Sequence, residues 1–240
     1  MKKPKAILFD LDDTLISFEG VSDEAWEKCC TEFTRKHALN LSTGELLKKL
    51  SEIRKWYWSC PERHKTGREN LVEARREIVK LALEAFDITG SQRANELADN
   101  FTAYKDSLVC LFPNTIETLT KLRAEGYRLG LITNGSSKGQ RAKLERFGLH
   151  SFFEIILIDQ EVGFGKPDIR IYELGLKLLG LSVEDVWMVG DNLVWDIEPP
   201  KSMAIFTVWH DYKKAGLPAN LSAVPDKQIK DISELLQDLC

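Results

Sequence analysis

Residues 6–14 read Ala6-Ile7-Leu8-Phe9-Asp10-Leu11-Asp12-Asp13-Thr14. An unbroken apolar run stops abruptly at a cluster of acids and a hydroxyl. Such a run suits a strand buried on both faces, as at the centre of a parallel sheet. Basic residues precede it at Lys2, Lys3 and Lys5. The apolar stretch is nevertheless too short for the hydrophobic region of a secretion signal. The opening therefore predicts the first strand of a soluble, cytoplasmic protein.

One strand cannot form a sheet, so its partners must lie further along. Apolar runs recur at Leu129-Gly130-Leu131-Ile132, Ile155-Ile156-Leu157-Ile158, Val186-Trp187-Met188-Val189 and Ile205-Phe206-Thr207-Val208. Helical patterns separate them, several closing on a glycine suited to a helix C-terminus: Gly126, Gly148 and Gly180. Strands alternating with helices predict a doubly wound, Rossmann-like parallel α/β sheet.

Between the first strand and the others the pattern is helical. Ser22 with Asp23 and Glu24 suits a helix start. Ser42 and Glu45 have capping-box spacing, followed by Leu46, Leu50, Ile53 and Tyr57 at helical intervals. Further helices are expected from Asn70 to Phe86 and from Ser91 toward Leu108, with a loop from Pro61 to Gly67. The chain thus divides into a core of residues 1–16 and 111–240 and an inserted helical bundle, a cap, of residues 17–110. An insertion directly after the first strand is expected above the carboxyl ends of the strands, where open α/β sheets bind ligands.

The sequence has 240 residues, 43% of them hydrophobic, with a formal net charge of -4. That excludes the strongly basic footprint of a nucleic-acid binder and gives no attraction to an anionic membrane. The five cysteines, at 29, 30, 60, 110 and 240, are odd in number and lack C-x-x-C spacing. They predict no disulfide framework and no zinc site, only reduced and mostly buried thiols.

Each expected strand ends in polar residues: Asp10-Leu11-Asp12-Asp13-Thr14, Thr133-Asn134-Gly135, Gly165-Lys166-Pro167-Asp168 after the third, and Gly190-Asp191-Asn192 with Asp196 beyond. Parallel strands would bring these ends to one edge. Carboxylates crowded together either take up protons or share a cation. Oxygen ligands of this hardness suit Mg2+, which also offsets repulsion between a carboxylate nucleophile and a phosphate.

The clusters D-L-D-D-T, T-N, K-P-D and G-D-x-x-x-x-D, in this order, resemble the motifs of the haloacid dehalogenase-like superfamily. The resemblance implies a phosphatase with a helical cap acting on a small phosphorylated metabolite. It implies that Asp10 attacks phosphorus and forms an aspartyl-phosphate, and that Asp12 is the general acid and base. Thr133 and Asn134 would bind the phosphoryl group, and Lys166 would stabilise its charge. Asp10, the Asp12 carbonyl and Asp191 would hold the metal, with Asp196 orienting a metal-bound water or Lys166. Enzymes of this superfamily that cleave carbon–halogen bonds lack an acid two residues after the nucleophile, so Asp12 favours phosphate esters. A phosphotransferase or mutase with the same intermediate, a haloacid dehalogenase and a non-catalytic binding protein are the alternatives. A receiver domain would carry its phosphoacceptor on an interior strand and lack so long a helical insert. One stretch departs from many relatives: Glu198-Pro199-Pro200 follows Asp196-Ile197 where a Gly-Ala-containing helix start is usual.

Asp13 is expected to shape a turn or cap a helix. Among the insert's residues, Tyr57 fits the apolar stripe. Trp26, Arg54, Trp56, Trp58, His64, Lys65 and Arg68 are further candidates for substrate contact: Trp56 and Trp58 lie on other faces than Tyr57, and Arg54, Lys65 and Arg68 could meet an anionic substrate, although exposed cations are the norm. The histidines at 37, 64, 150 and 210 form no ligand spacing and are expected on the surface or as satisfied core residues.

Overall fold

The computed structural model describes residues 2–60, 62–63, 66–67 and 70–239. The chain divides into two compact units, Met1–Phe18 with Cys110–Cys240, and Glu19–Val109.

The first unit is built on a six-stranded sheet. Its strands are β1 (Ala6–Phe9), β4 (Arg128–Thr133), β5 (Ile155–Ile158), β6 (Val186–Gly190), β7 (Phe206–His210) and β8 (Lys227–Ile229), in the spatial order β5-β4-β1-β6-β7-β8. Every neighbouring pair is parallel. β1 is central and wholly buried, which is why it needs four apolar residues in succession. In register, Phe9 lies opposite Leu131 of β4 and Val189 of β6. From β1 the strand order runs outward in both directions, so β1 marks the topological switch point of a doubly wound α/β fold.

Side chains of successive strand residues alternate between faces. Ala6 and Leu8 of β1 and Val186 and Met188 of β6 join Ile132 in one core layer, closed by Ile171, Tyr172 and Leu176 of the helix Arg170–Leu179. On the other face Phe9 meets Phe153, with ring centroids 6.4 Å apart. A two-residue antiparallel ladder joins β2 (Ile16–Ser17) to β3 (Cys110–Leu111). The chain therefore leaves this unit and re-enters it on adjacent strands.

The second unit contains the long helices α1 (Ser22–Lys36), α2 (Thr43–Trp58), α3 (Leu71–Glu84) and α4 (Ser91–Leu108). They enclose a core of Ala25, Trp26, Phe33, Leu46, Leu50, Ile78, Leu83, Leu97 and Phe101, among others. Trp26 stacks on Phe101 with ring centroids 3.7 Å apart. Ser42 caps α2: its hydroxyl accepts from the Glu45 N–H, and the Glu45 carboxylate accepts from the Ser42 N–H at 3.0 Å. Tyr57 and Trp58 both pack against this core, whereas Trp56 is half exposed under the Arg63 guanidinium.

The described part of the stretch expected to be a loop is helical at 62–63 and 66–67. Arg63 holds it by donating to the carbonyls of Trp56 and Tyr57. Pro61, His64, Lys65 and Arg68 lie outside the described residues. The short strands β2, β3 and β8 were not expected, since two or three residues carry no readable period. The thiols correct another expectation: Cys29 and Cys30 are buried, Cys60 is half-buried and Cys110 exposed, with Cys240 outside the described residues. Among the described residues no helix is long and apolar enough to cross a membrane.

Candidate active site

β1 delivers Asp10 to the middle of the sheet edge. The Asp10 N–H continues the ladder by donating to the Val189 carbonyl at 2.9 Å. Its carboxylate is buried and held at both oxygens. Lys166 Nζ donates to Oδ1 at 2.6 Å, and Thr14 Oγ1 donates to Oδ2 at 3.0 Å. Thr14 stands four residues beyond Asp10 in the D-L-D-D-T cluster.

Lys166 Nζ also donates to Asp196 Oδ1 at 2.6 Å. Asp196 lies in a π-helical turn, Leu193–Ile197, that leads into the short helix Glu198–Ser202 containing the two prolines. Its second oxygen accepts from the Asn192 N–H at 3.0 Å. Gly190 at the end of β6 makes this approach possible. A Cβ there would stand 2.3 Å from the Asp196 Cγ, closer than any side chain tolerates.

Asp10, Asp191 and Asp196 can place one oxygen each within 4.8 Å of one another. One ammonium does not balance three carboxylates, and burial sharpens the imbalance. Desolvation, with the charges of Asp196 and Asp12 adding to it, raises the Asp10 carboxyl to about 7 despite the opposing Lys166. Desolvation together with Asp10 and Asp196 raises Asp191 to about 9. Burial works against the charge on Lys166, but Asp10 and Asp196 outweigh it and hold the ammonium above its ordinary value. Such a cluster is stable only with protons or a cation among its oxygens. An all-oxygen donor set with surplus negative charge fits Mg2+.

The remaining predicted residues flank this cluster. Thr133, at the end of β4, is buried, and its hydroxyl accepts from Gln140 Nε2 at 2.5 Å. Asn134 uses its side chain on the protein itself. Its Oδ1 accepts from the Lys166 N–H at 2.9 Å and its Nδ2 donates to the Lys166 carbonyl at 2.7 Å. That two-point pairing fixes the backbone from which Lys166 reaches Asp10. The Asp12 side chain stands apart from the three clustered carboxylates, where Lys143 Nζ donates to both its oxygens at 2.7 and 2.8 Å. Asp13 has a positive φ of 62° and accepts from the Phe18 N–H, as suits a turn.

Gln140 and Lys143 were missed by sequence reasoning. Both lie on the helix Ser137–Arg146 that follows Thr133-Asn134-Gly135, three residues apart and so on one face. That spacing was the available signal. Tyr172 was also missed; it is buried in the core layer and its hydroxyl donates to the Trp195 carbonyl, supporting the turn that carries Asp196. None of the described histidines enters the cluster. His37 pairs with Glu96. His210 is buried with its Nδ1 unpartnered, contrary to the expectation of a satisfied core residue.

Comparisons with known proteins show the family of the chain. A family model for haloacid dehalogenase-like hydrolases matches residues 4–203. A glyceraldehyde 3-phosphate phosphatase of Methanocaldococcus jannaschii is 32% identical over 85% of this chain and 83% of its own length. A phosphoserine phosphatase of Thermus thermophilus is 34% identical over 74% of this chain and 65% of its own length. Among solved structures, a HAD phosphatase of Thermococcus onnurineus is 27% identical with a TM-score of 0.61, covering 98% of this chain and 97% of the other.

Proposed function

Because the chain belongs to the haloacid dehalogenase-like hydrolase family, we propose that it is a magnesium-dependent phosphatase that hydrolyses a small phosphorylated metabolite through an aspartyl-phosphate on Asp10. The observation that carries this reading is a buried carboxylate, held at both oxygens by Lys166 and Thr14, with a second carboxylate two residues on.

Asp10 and Asp191 would hold the metal directly, with the Asp12 carbonyl. Asp196, which accepts from Lys166 Nζ and from the Asn192 N–H, would orient Lys166 or a metal-bound water. When bound, Mg2+ offsets the repulsion between the nucleophile and the phosphoryl oxygens. The chain's own residues do the rest. An Asp10 oxygen attacks phosphorus while the bond to the ester oxygen breaks, and Asp12 gives that oxygen its proton. Lys166 and Thr133 meet the charge that gathers on the phosphoryl oxygens. Asp12 then takes a proton from the water that attacks the aspartyl-phosphate, releasing inorganic phosphate and restoring Asp10. Asn134 serves this scheme through its grip on the Lys166 backbone as well as by its place beside Thr133.

Relatives that act on glyceraldehyde 3-phosphate and phosphoserine support a small alkyl phosphate as substrate, and both compounds belong in a substrate screen. The decisive test measures phosphate release from p-nitrophenyl phosphate, with and without Mg2+, for the wild type and Asp10→Asn. We expect release that requires Mg2+ and falls by at least about a thousandfold in the variant. Undiminished release from Asp10→Asn would remove Asp10 as the nucleophile. Transfer of the phosphoryl group to an added alcohol without free phosphate would make the protein a phosphotransferase.

A further inference from the structure

The Asp12 side chain is held by one face of the helix Ser137–Arg146. Lys143 Nζ donates to both its oxygens, at 2.7 and 2.8 Å. Gln140 Nε2 donates to Asp12 Oδ2 at 3.0 Å and to Thr133 Oγ1 at 2.5 Å, so one amide group joins the two side chains. The Lys143 ammonium also lies 3.5 Å from the centroid of the Phe18 ring, a cation–π contact that fixes it from another direction.

The backbone makes room for this arrangement. Gly135 has a φ of +149°, and a Cβ on it would come within 3.1 Å of the Gln140 side chain. Ion pairs between exposed side chains contribute little and hold no fixed geometry. Here the Lys143 and Asp12 side chains are only 18% and 22% exposed, and Gln140 is 3% exposed. An aspartate on an open turn would otherwise explore several χ1 wells. General acid catalysis fails when the acid is misplaced, because the proton must pass over a hydrogen-bond distance.

We propose that Lys143, assisted by Gln140, is a positioning residue for Asp12: it fixes the carboxylate relative to Thr133, and so relative to the phosphoryl group, for proton delivery to the leaving oxygen. This inference rests on the reading of Asp12 as the acid. In the step concerned, the ester P–O bond breaks, the proton moves from Asp12 to the departing oxygen, and Lys143 neither gains nor loses one.

The test compares kcat/KM for two esters of similar shape, p-nitrophenyl phosphate and phenyl phosphate. This constant reports the steps through departure of the leaving group. The nitrophenolate leaves without a proton, whereas phenol departs far better with one. Lys143→Met should lower kcat/KM for phenyl phosphate about tenfold more than for p-nitrophenyl phosphate. Lys143→Arg, whose fork also engages two carboxylate oxygens, should recover most of the loss. In an Asp12→Asn background Lys143→Met should cost nothing further, since both act on one proton transfer. Lys143→Gln provides a second truncation should the methionine variant misfold. Equal losses on the two esters, or the same loss in the Asp12→Asn background, would overturn the proposal and leave Lys143 a structural or phosphoryl-binding cation. If Asp12→Asn itself showed no selectivity between the esters, the acid role of Asp12 would fall. A selective Asp12→Asn beside an unselective Lys143→Met would sink the positioning role alone.

Discussion

Asp10, Asp191 and Asp196 show how much a few residues can be at odds with folding. Each is placed by sequence-local means: a strand end, a strand end and a turn. Together they create a largely buried cluster of carboxyl groups that the fold must tolerate. Its cost has a definite pH dependence. The Asp10 and Asp191 carboxyls have an ordinary value of 3.8, raised in the folded chain to about 7 and about 9, chiefly by desolvation. An acid whose pKa is raised by folding stabilises the protein fully below its unfolded value and loses that contribution as pH rises through the folded one. The metal-free protein should therefore lose thermal stability from about pH 4 to about pH 9 through these groups. Mg2+ competes with those protons, so its stabilising effect should grow over the same range. Melting temperatures in chelator and in Mg2+, taken at several pH values, check this; a Mg2+ effect that shrinks toward alkaline pH would contradict it. Much of this cluster was legible in the sequence, because Asp10, Thr133 and Asp191 each follow an apolar run long enough to mark a strand end. The grip of Asn134 on the Lys166 backbone was not legible, since it joins residues 32 positions apart by side-chain geometry alone.

Elements were legible in proportion to their length. The helices of the second unit announce themselves through apolar residues at helical spacing, and α2 also through its cap. Ser42 and Glu45 satisfy each other's backbone N–H groups as their spacing required. Ser42→Ala should therefore destabilise this unit by about 1 kcal/mol, with the helical signal lost at lower denaturant. An unchanged midpoint would mean that water replaces the cap without loss. Short elements escaped for the opposite reason. β2, β3 and β8 have two or three residues each, and only their partners define them. The helical residues at 62–63 and 66–67 escaped because proline and polar composition signal a turn, while the Arg63 bonds to the carbonyls of Trp56 and Tyr57 act the other way. The helix Ser137–Arg146 was expected as an element, but not that one of its faces would grip Asp12. Helical period tells which residues share a face, and only tertiary structure tells what that face meets.

At the scale of the whole molecule the two units differ in how far apart in sequence their contacts lie. Glu19–Val109 is a single uninterrupted segment with its own apolar core. Expressed alone, it should fold into a cooperative helical unit, measurable as a sigmoidal loss of circular dichroism on heating. A gradual, non-cooperative loss would show that it needs the rest of the chain. The other unit is discontinuous, and the doubly wound order makes its central strand the earliest in the chain. Phe9 cannot complete its pairing until Val189 has been made, 180 residues later. At ordinary rates of translation that interval lasts on the order of ten seconds or more. Throughout it Ala6-Ile7-Leu8-Phe9 trails from the ribosome as an apolar strand without its second neighbour, while the helical segment behind it can already have folded. During that interval the strand keeps an open edge that could pair with another chain, and the lysines just before it at positions 2, 3 and 5 are placed to discourage two such strands from pairing with each other.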